Sequence, residues 1–184
     1  MAEAAADLED VSRGYVDPTA IVTMGAVLEG NVHVGAECVC HPRGCIRALA
    51  GPVYVGESTI VEEFVDITNS SPVEMRIGSH NTFEVGCKIS AESIGDGNVF
   101  ERKCVVREGC VIGNGCVIGV GCELPAGTHL RDGTVLQGPS LVPYQRPRLL
   151  EVNQELNKQH VKFCREVLPT FHHMQQFEDC APEK

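Results

Sequence analysis

The 184-residue sequence contains no tryptophan, and aromatic residues make up only 5% of it. Large aromatic side chains usually dominate the packing of thick protein cores. The core of this protein must therefore be filled by Val, Ile, Leu and small residues. Such a composition favours thin stacked layers over one large globular core.

Long apolar runs and positive charge are also scarce. No stretch approaches the roughly 18 apolar residues that a membrane-spanning helix needs, and residues 1–10 are acidic where a secretory signal would be basic and then apolar. Fifteen Lys and Arg stand against 25 Asp and Glu, a formal charge of −10, and no basic stripe offsets it. Because this charge repels phosphate backbones, the sequence predicts no binding of nucleic acid. The lack of a long apolar run and of a signal pattern predicts an intracellular protein that does not insert into a membrane.

Two kinds of residue recur every six positions through most of the chain. From residue 94 onward the first position holds Ile94, Phe100, Val106, Ile112, Ile118, Leu124, Leu130 and Leu136. Four residues after each stands a small or slim residue: Asn98, Cys104, Cys110, Cys116, Cys122, Thr128, Thr134 and Ser140. The same frame occupies residues 16–46, and it shifts at residues 50–52 and 70–76. A fixed period of this kind indicates a repeat architecture, and the shifts mark loops.

The six-residue period predicts the fold. Side chains two residues apart on a strand share a face, so both repeated positions point into one core and a turn follows every six residues. Three such units close a triangular coil, and the chain has enough units for about seven coils stacked ~4.8 Å apart. The predicted fold is mainly β, a single-stranded parallel β-helix over residues 15–142.

The cysteines follow the same repeat. Ten cysteines without a secretory signal are expected to remain thiols, and Cys104, Cys110, Cys116 and Cys122 occupy the slot that suits a small buried side chain. Cys104 and Cys122 fall at one corner of successive coils, within reach of a disulfide, but a reducing cytosol argues against that bond. Zinc sites use paired ligands such as C-x2-C, and this spacing is different.

Beyond Pro143 the period changes to three- and four-residue steps, which predict an amphipathic helix. Its apolar stripe is Leu149, Val152, Leu156, Phe163 and Val167, which we expect to pack on the side of the β-helix. Pro147 suits the first turn and Pro169 the end. The predicted organisation is a flexible acidic N-terminus over 1–14, the β-helix, a linker and helix over 143–175, and a flexible tail over 176–184. That tail has no Ser or Thr after Phe177 and hence no phosphorylation site.

An ordered set of segments carries a resemblance to a known family. The segments are 28–32, 50–52, 55–57, 67–69, 83–87 and 168–173, and together they resemble the dynactin subunit 6 family over about residues 16–174. The resemblance to hexapeptide-repeat proteins implies left-handed coils. Family members carry a longer acidic, proline-rich excursion where this chain has only residues 70–76, so a partner contact made there is not expected.

The resemblance implies a structural role without a cofactor. The expected function is that of a non-catalytic dynactin subunit that supports dynein cargo selection. Its expected partners are the sister β-helix subunit, the pointed-end actin-related protein and cargo adaptors. The expected location is the cytoplasm and the microtubule-associated cytoskeleton, with the centrosome and kinetochore as further sites.

Two enzyme classes share hexapeptide repeats and form the alternative, a trimeric acyltransferase or gamma-class carbonic anhydrase. Our alignment with the carbonic anhydrases places Ile67, Val85 and Ser90 where three zinc-binding histidines would stand. An acyltransferase needs a general-base His beside a protruding loop, and no long loop accompanies the internal histidines His33, His41, His80 and His129. No catalytic residue or metal ligand is therefore predicted.

Six residues are the predicted partner contacts. An acidic cluster falls in outward and turn positions, and an aromatic and two histidines follow the helix; two adjacent histidines are too few to hold a metal. The six are Glu62, Glu63, Asp66, Phe171, His172 and His173.

Overall fold

A computed structural model describes residues 14–138, 142–146 and 148–177. Pro147, Ser140 and Cys180 lie outside the described residues, as do almost all of the predicted N-terminal segment and most of the predicted tail.

The strands are short, as a six-residue repeat requires. In chain order they are β1 (Tyr15–Val16), β2 (Ile21–Val22), β3 (Val27–Val34), β4 (Val39–Cys40), β5 (Cys45–Val55), β6 (Ile60–Val61), β7 (Asp66–Asn69), β8 (Met75–Ile77), β9 (Thr82–Phe83), β10 (Lys88–Ile89), β11 (Ser93–Ile94), β12 (Val99–Phe100), β13 (Val105–Val106), β14 (Val111–Ile112), β15 (Val117–Ile118), β16 (Glu123–Leu124), β17 (His129–Leu130), β18 (Thr134–Leu136) and β19 (Tyr144–Gln145). Helix α1 (Leu149–Phe171) follows.

The strands stack in parallel on three faces. The first face contains β1, the second half of β3, the second half of β5, and then β8, β11, β14 and β17. The second contains β2, β4, β6, β9, β12, β15 and β18, and the third the first halves of β3 and β5, then β7, β10, β13 and β16. We number seven coils from their first-face strands, β1 to β17. The predicted parallel β-helix of about seven coils with a C-terminal helix is confirmed.

The core is the column of repeated positions inside the triangle. Its largest fully buried side chains include Ile46, Ile67, Phe83, Phe100 and Ile118. The rings of Phe83 and Phe100 stack across adjacent coils with centroids 4.6 Å apart. Because each coil contributes only a few side chains to the core, each of them fills a large share of its layer.

The nine described cysteines are free thiols, as predicted, and eight of them are buried. The closest sulfur pair of the ladder differs from the one expected from sequence. Cys104 Sγ lies 3.4 Å from Cys87 Sγ, because one repeat between them is shortened and brings residue 87 to the same corner.

Helix α1 lies along the second face, antiparallel to the order of the coils. At its start Leu150 lies beside Gly115 of coil 6, and near its end Arg165 donates a hydrogen bond to the Thr19 carbonyl of coil 1. Val161, Cys164 and Leu168 pack on the second face against Val39 and Ile60. Among the described residues, no helix is long and apolar enough to cross a membrane.

The predicted docking stripe of α1 was wrong. Val152, Leu156 and Phe163 are exposed, and the buried side chains are Asn153, Asn157, Val161, Cys164 and Leu168. The physical reason lies in the surface beneath the helix, which offers a backbone carbonyl and a threonine hydroxyl as hydrogen-bond acceptors. Asn153 Nδ2 donates to the Gly97 carbonyl at 2.9 Å, and Asn157 Nδ2 donates to Thr82 Oγ1 at 3.0 Å.

The predicted end of the helix at Pro169 was also wrong. The helix continues through Pro169 to Phe171, and the His172 N–H donates to the Leu168 carbonyl. Pro removes a single backbone donor, and in the last turn the helix continues without it.

Candidate partner-binding surface

One corner of the β-helix, between the second and third faces, carries a column of glutamates. We call it the glutamate corner; it consists of residues 23–26, 41–44, 62–65, 84–87, 101–104 and 119–122. Glu62, Glu84 and Glu101 occupy the same position in successive coils, next to the aligned strands β6, β9 and β12.

Each of these carboxylates accepts a backbone hydrogen bond from the following coil. The donors are the N–H groups of Val85 to Glu62 (3.1 Å), Arg102 to Glu84 (3.2 Å) and Val120 to Glu101 (2.9 Å). Turn amides that would lack a ladder partner are thereby satisfied. Glu62, a predicted partner contact, thus stabilises its own corner, and its partner role stays a prediction.

Burial raises the pKa of the Glu62 carboxyl above its usual value, and the neighbouring charges of Glu84 and Glu63 add to the effect. The Val85 N–H and His41 act in the opposite direction. Because a raised pKa means that the folded state holds its proton more tightly than the unfolded chain does, this group lowers stability as pH rises from the unfolded pKa through the folded one.

Glu62→Gln should therefore give a melting temperature at neutral pH equal to or above that of the wild type. The amide oxygen can still accept the Val85 N–H, while the desolvated charge is gone. Thermal melts from pH 4 to pH 8 should show the two proteins converging at the acidic end, where Glu62 is protonated in both states. Glu108→Gln, at an exposed carboxylate, is the control and should change little. The account would be contradicted if the stability of Glu62→Gln, relative to the wild type, fell as the pH rose from acidic to neutral.

Glu63, His41 and Cys164 form a chain of contacts from the glutamate corner to α1. His41 Nδ1 lies 3.1 Å from Glu63 Oε1, and His41 Nε2 lies 3.6 Å from Cys164 Sγ. The order of groups is that of an activated cysteine nucleophile. Burial, however, raises the pKa of the Cys164 thiol to about 11, with Glu62 and Glu63 adding to the effect, whereas a reactive cysteine needs a lowered pKa and access. The contact fits a link between helix and β-helix.

The other predicted contacts lie nearby but are separate. Asp66 begins β7 on the third face, where its Oδ1 accepts from Arg47 Nη1 at 2.7 Å. Beyond α1 the His173 carbonyl accepts the Met24 N–H at 2.8 Å, which places the 171–173 segment at the first coil of the glutamate corner. The structure therefore brings Glu62, Glu63 and the 171–173 segment to one side of the molecule, and it leaves Asp66 on the adjoining face.

The histidines do not converge. His33 stacks on the Tyr54 ring, and His129 is exposed on β17. His80 lies at the corner between the first and second faces, where its Nε2 is 3.8 Å from Glu57 Oε1. Ile67, at a would-be zinc position, is fully buried in the core. In the described ranges, no three His, Cys, Asp or Glu side chains are placed to hold a metal ion.

Exposed apolar side chains collect on the same side as the glutamate corner. Along that corner three large apolar residues are exposed: Met24, Phe64 and Val120. On α1, helical geometry places Val152, Leu156 and Phe163 within about 40° of one another around the axis. We call these six residues, together with Phe171, the apolar surface.

The orientation of α1 places its exposed ridge beside the glutamate corner. Cys164 contacts His41 at that corner, and the opposite edge of the helix, with Lys158 and Lys162, lies over Glu37 and Ser58 at the corner between the first and second faces. The ridge is therefore on the Cys164 side of the helix.

Phe64 has the most unusual backbone of the apolar surface. It adopts φ 59° and is 56% exposed; the equivalent turn position is also at positive φ in other coils, where it holds Arg43, Gly86, Lys103 and Gly121. A bulky residue is rare in this region of backbone space and costs about 1–2 kcal/mol there. Arg43 stacks its guanidinium 5.3 Å from the Phe64 ring centroid. Because the same turn has a positive φ at Arg43 and Lys103, the feature that distinguishes Phe64 is its exposed aromatic ring.

The sequence reasoning missed Phe64, Met24 and Val120. A signal for Phe64 was present, because in the six-residue frame a phenylalanine stands at a turn position that other coils fill with glycine or with the basic residues Arg43 and Lys103. No comparable signal marked Met24 or Val120, whose exposure depends on what the terminal segment and α1 leave uncovered.

Comparison with known proteins identifies relatives along almost the whole chain, although no protein-family model matches it. The chain is 36% identical to Dynactin subunit 6 of Nematostella vectensis over 170 residues, 85% of this chain and 89% of the relative. It is 33% identical to Dynactin subunit 6 of Caenorhabditis elegans over 171 residues, 91% of each chain. The match to the Xenopus tropicalis protein of that name is 38% identical over 102 residues and spans 51% of that relative.

Among solved structures, a hexapeptide transferase family protein from Anaplasma phagocytophilum is similar with a TM-score of 0.75. The alignment covers 84% of this chain and 93% of that protein, at 18% sequence identity. At this identity the likeness concerns the fold alone.

Proposed function

This chain belongs to the dynactin subunit 6 family, and we propose that it is a non-catalytic structural subunit of the dynactin complex. In this proposal it pairs with the sister β-helix subunit at the pointed end, beside the actin-related protein, and supports the selection of dynein cargo through adaptors. Its place of action is then the cytoplasm and the microtubule-associated cytoskeleton, with the centrosome and kinetochore as further sites.

The observation that carries the proposal is the apolar surface. Its seven large side chains are all at least two-fifths exposed. Large apolar side chains that collect on one side of a soluble protein are typical of a surface that a partner covers. Aromatic residues, Met and Arg are enriched in such contacts, and this surface combines Met24 and three phenylalanines with Arg43.

Charge favours a different chain over a second copy as the partner. Two copies with a net charge of −10 each repel one another, and the half-buried Glu63 of the glutamate corner and the exposed Glu155 of α1 add negative charge on this side. The partner should therefore offer an apolar contact with basic residues at its rim. Pairing within a complex of different subunits meets this requirement.

The likeness in fold to a transferase supplies no argument for catalysis, since one fold hosts many functions. The candidate nucleophile Cys164 is buried and protonated, and the histidines stand apart. Both observations support the non-catalytic reading.

The double variant Leu156→Ser with Phe163→Ser should lose the sister subunit while remaining folded. Both side chains are about 60% exposed, so their removal costs little folding energy, whereas loss of two central interface anchors weakens binding about tenfold or more. The measurement is quantitative recovery of named dynactin subunits with tagged protein expressed in cells, together with a thermal melt.

The matched control is Leu49→Ser with Val73→Ser, at side chains of similar exposure away from the glutamate corner. Recovery of the sister subunit should be at the wild-type level with this control. Equal recovery with both double variants would remove the apolar surface from the proposal.

A further inference from the structure

The edge of α1 opposite the apolar surface is basic. Lys158, Lys162 and Arg165 follow one another at steps of four and three residues and line a groove of about 320 Å³ between α1 and the corner of the first and second faces. The rest of its wall is Val161, Ser58, Glu37 and Glu166. Such a local excess of cations is unexpected in an acidic chain, because the sequence shows no continuous basic stripe.

The cations of this groove have no carboxylate partner among the described residues. Every ion pair of Lys, Arg and His within that part of the chain involves other cations. Arg165 donates one N–H to the Thr19 carbonyl, and its remaining donors are available. Glu37 is partly engaged, because it accepts the Ser58 hydroxyl at 3.3 Å.

We propose that this basic groove binds an extended acidic peptide segment of another protein. Lys158 and Lys162 stand about 6 Å apart along the helix axis, at 1.5 Å per residue. Side chains on one face of an extended peptide recur about every 6.6 Å. A segment with carboxylates at alternate residues therefore matches the spacing of the two ammonium groups, and Val161 offers an apolar floor between them.

A nucleic acid fits less well than a peptide. A duplex carries one phosphate charge about every 1.7 Å, so any approach to the two lysines would also bring phosphates against Glu37 and Glu166. A peptide has discrete carboxylates and can place uncharged residues beside those glutamates. The overall charge of −10 further disfavours a long polyanion.

The test is a binding titration with the full chain and a synthetic peptide, Trp-Gly-Glu-Ser-Glu-Ser-Glu with blocked ends. Since the protein contains no tryptophan, the anisotropy of tryptophan fluorescence reports only the peptide. We expect saturable binding that weakens as salt is raised, because the contact is between partly exposed charges. The same peptide with Gln in place of Glu should not bind.

Lys158→Glu with Lys162→Glu should weaken binding of the acidic peptide about tenfold or more. Lys158→Arg with Lys162→Arg keeps the charge and should retain it. Lys88→Glu with Lys103→Glu, at two exposed lysines elsewhere, makes the same change in net charge and should leave the affinity near that of the wild type.

Three results would overturn the inference: no salt-dependent binding to the wild type, equal weakening by the two charge-reversed variants, or full displacement of the peptide by equimolar inorganic phosphate. Displacement would mean an anion site without peptide specificity. Because no dynactin subunit other than this chain enters the titration, its outcome is independent of the assembly proposed above.

Discussion

Phe100→Ala should lower the free energy of unfolding by about 3–5 kcal/mol. Phe100 is fully buried on the second face and stacks on Phe83 of the coil before it. Its loss removes apolar burial and leaves a cavity that a closed triangular coil cannot collapse to fill. A denaturant titration followed by circular dichroism measures the change.

Phe64→Ala is the matched control for Phe100→Ala, since the substitution is the same at an exposed site. It removes little buried area, and alanine keeps the Cβ that makes this backbone region costly, so the free energy of unfolding should remain within about 0.5 kcal/mol of the wild type. In complex assembly the order should be the reverse: folded Phe64→Ala should assemble less well than folded Phe100→Ala, because Phe64 belongs to the apolar surface. A large loss of stability in Phe64→Ala would mean that its ring is buried and cannot contact a partner.

Leu168→Ala should lower the free energy of unfolding by about 2–4 kcal/mol. Leu168 is 7% exposed and belongs to the cluster in which α1 meets Val39 and Ile60. Truncation leaves a cavity between the helix and the second face. Thermal and denaturant unfolding of the full chain are the measurements.

Leu156→Ala is the internal control, with the same residue type, the same substitution and the same helix. Leu156 is 60% exposed, so the change should be small. The comparison tests the rotation of α1 directly, because the sequence pattern placed Leu156 at the docking face. If Leu156→Ala proved the more destabilising of the two, the helix would dock through the apolar stripe and the apolar surface would lose its ridge.

The core could be predicted from the sequence because it depends on local periodicity. A six-residue repeat fixes the turn and the inward side chain of each unit before any distant contact forms. Ile118, Phe100 and the cysteines of the small slot lie where that frame puts them. The shortened repeat shifted only the identity of the closest thiol pair, Cys87 and Cys104.

The candidate surface could be predicted only in part. Glu63 and His173 were singled out by type and position, yet their placement on one side of the molecule depends on the path that α1 takes back to the first coil. Phe64 stands at a turn position that other coils fill with glycine or a basic residue, and the exposure of its ring depends on what α1 and the terminal segment leave uncovered. The groove at Lys158 and Lys162 depends on what lies opposite the helix, which no spacing within the helix reveals.

The sequence by itself thus determined the parallel coils, their number and their thiol-rich core, since neighbouring units within one short stretch dictate each of these. Tertiary structure decided which side of α1 is buried. The hydrophobic pattern favoured Leu156 and Phe163, but the second face offers the Gly97 carbonyl and the Thr82 hydroxyl to the helix, and Asn153 and Asn157 satisfy them. A buried polar group without a partner is costly, so the donors of Asn153 and Asn157 face these acceptors, and the leucine and phenylalanine are exposed. The satisfaction is incomplete, because Asn157 Oδ1 is buried without a hydrogen-bond partner among the described residues.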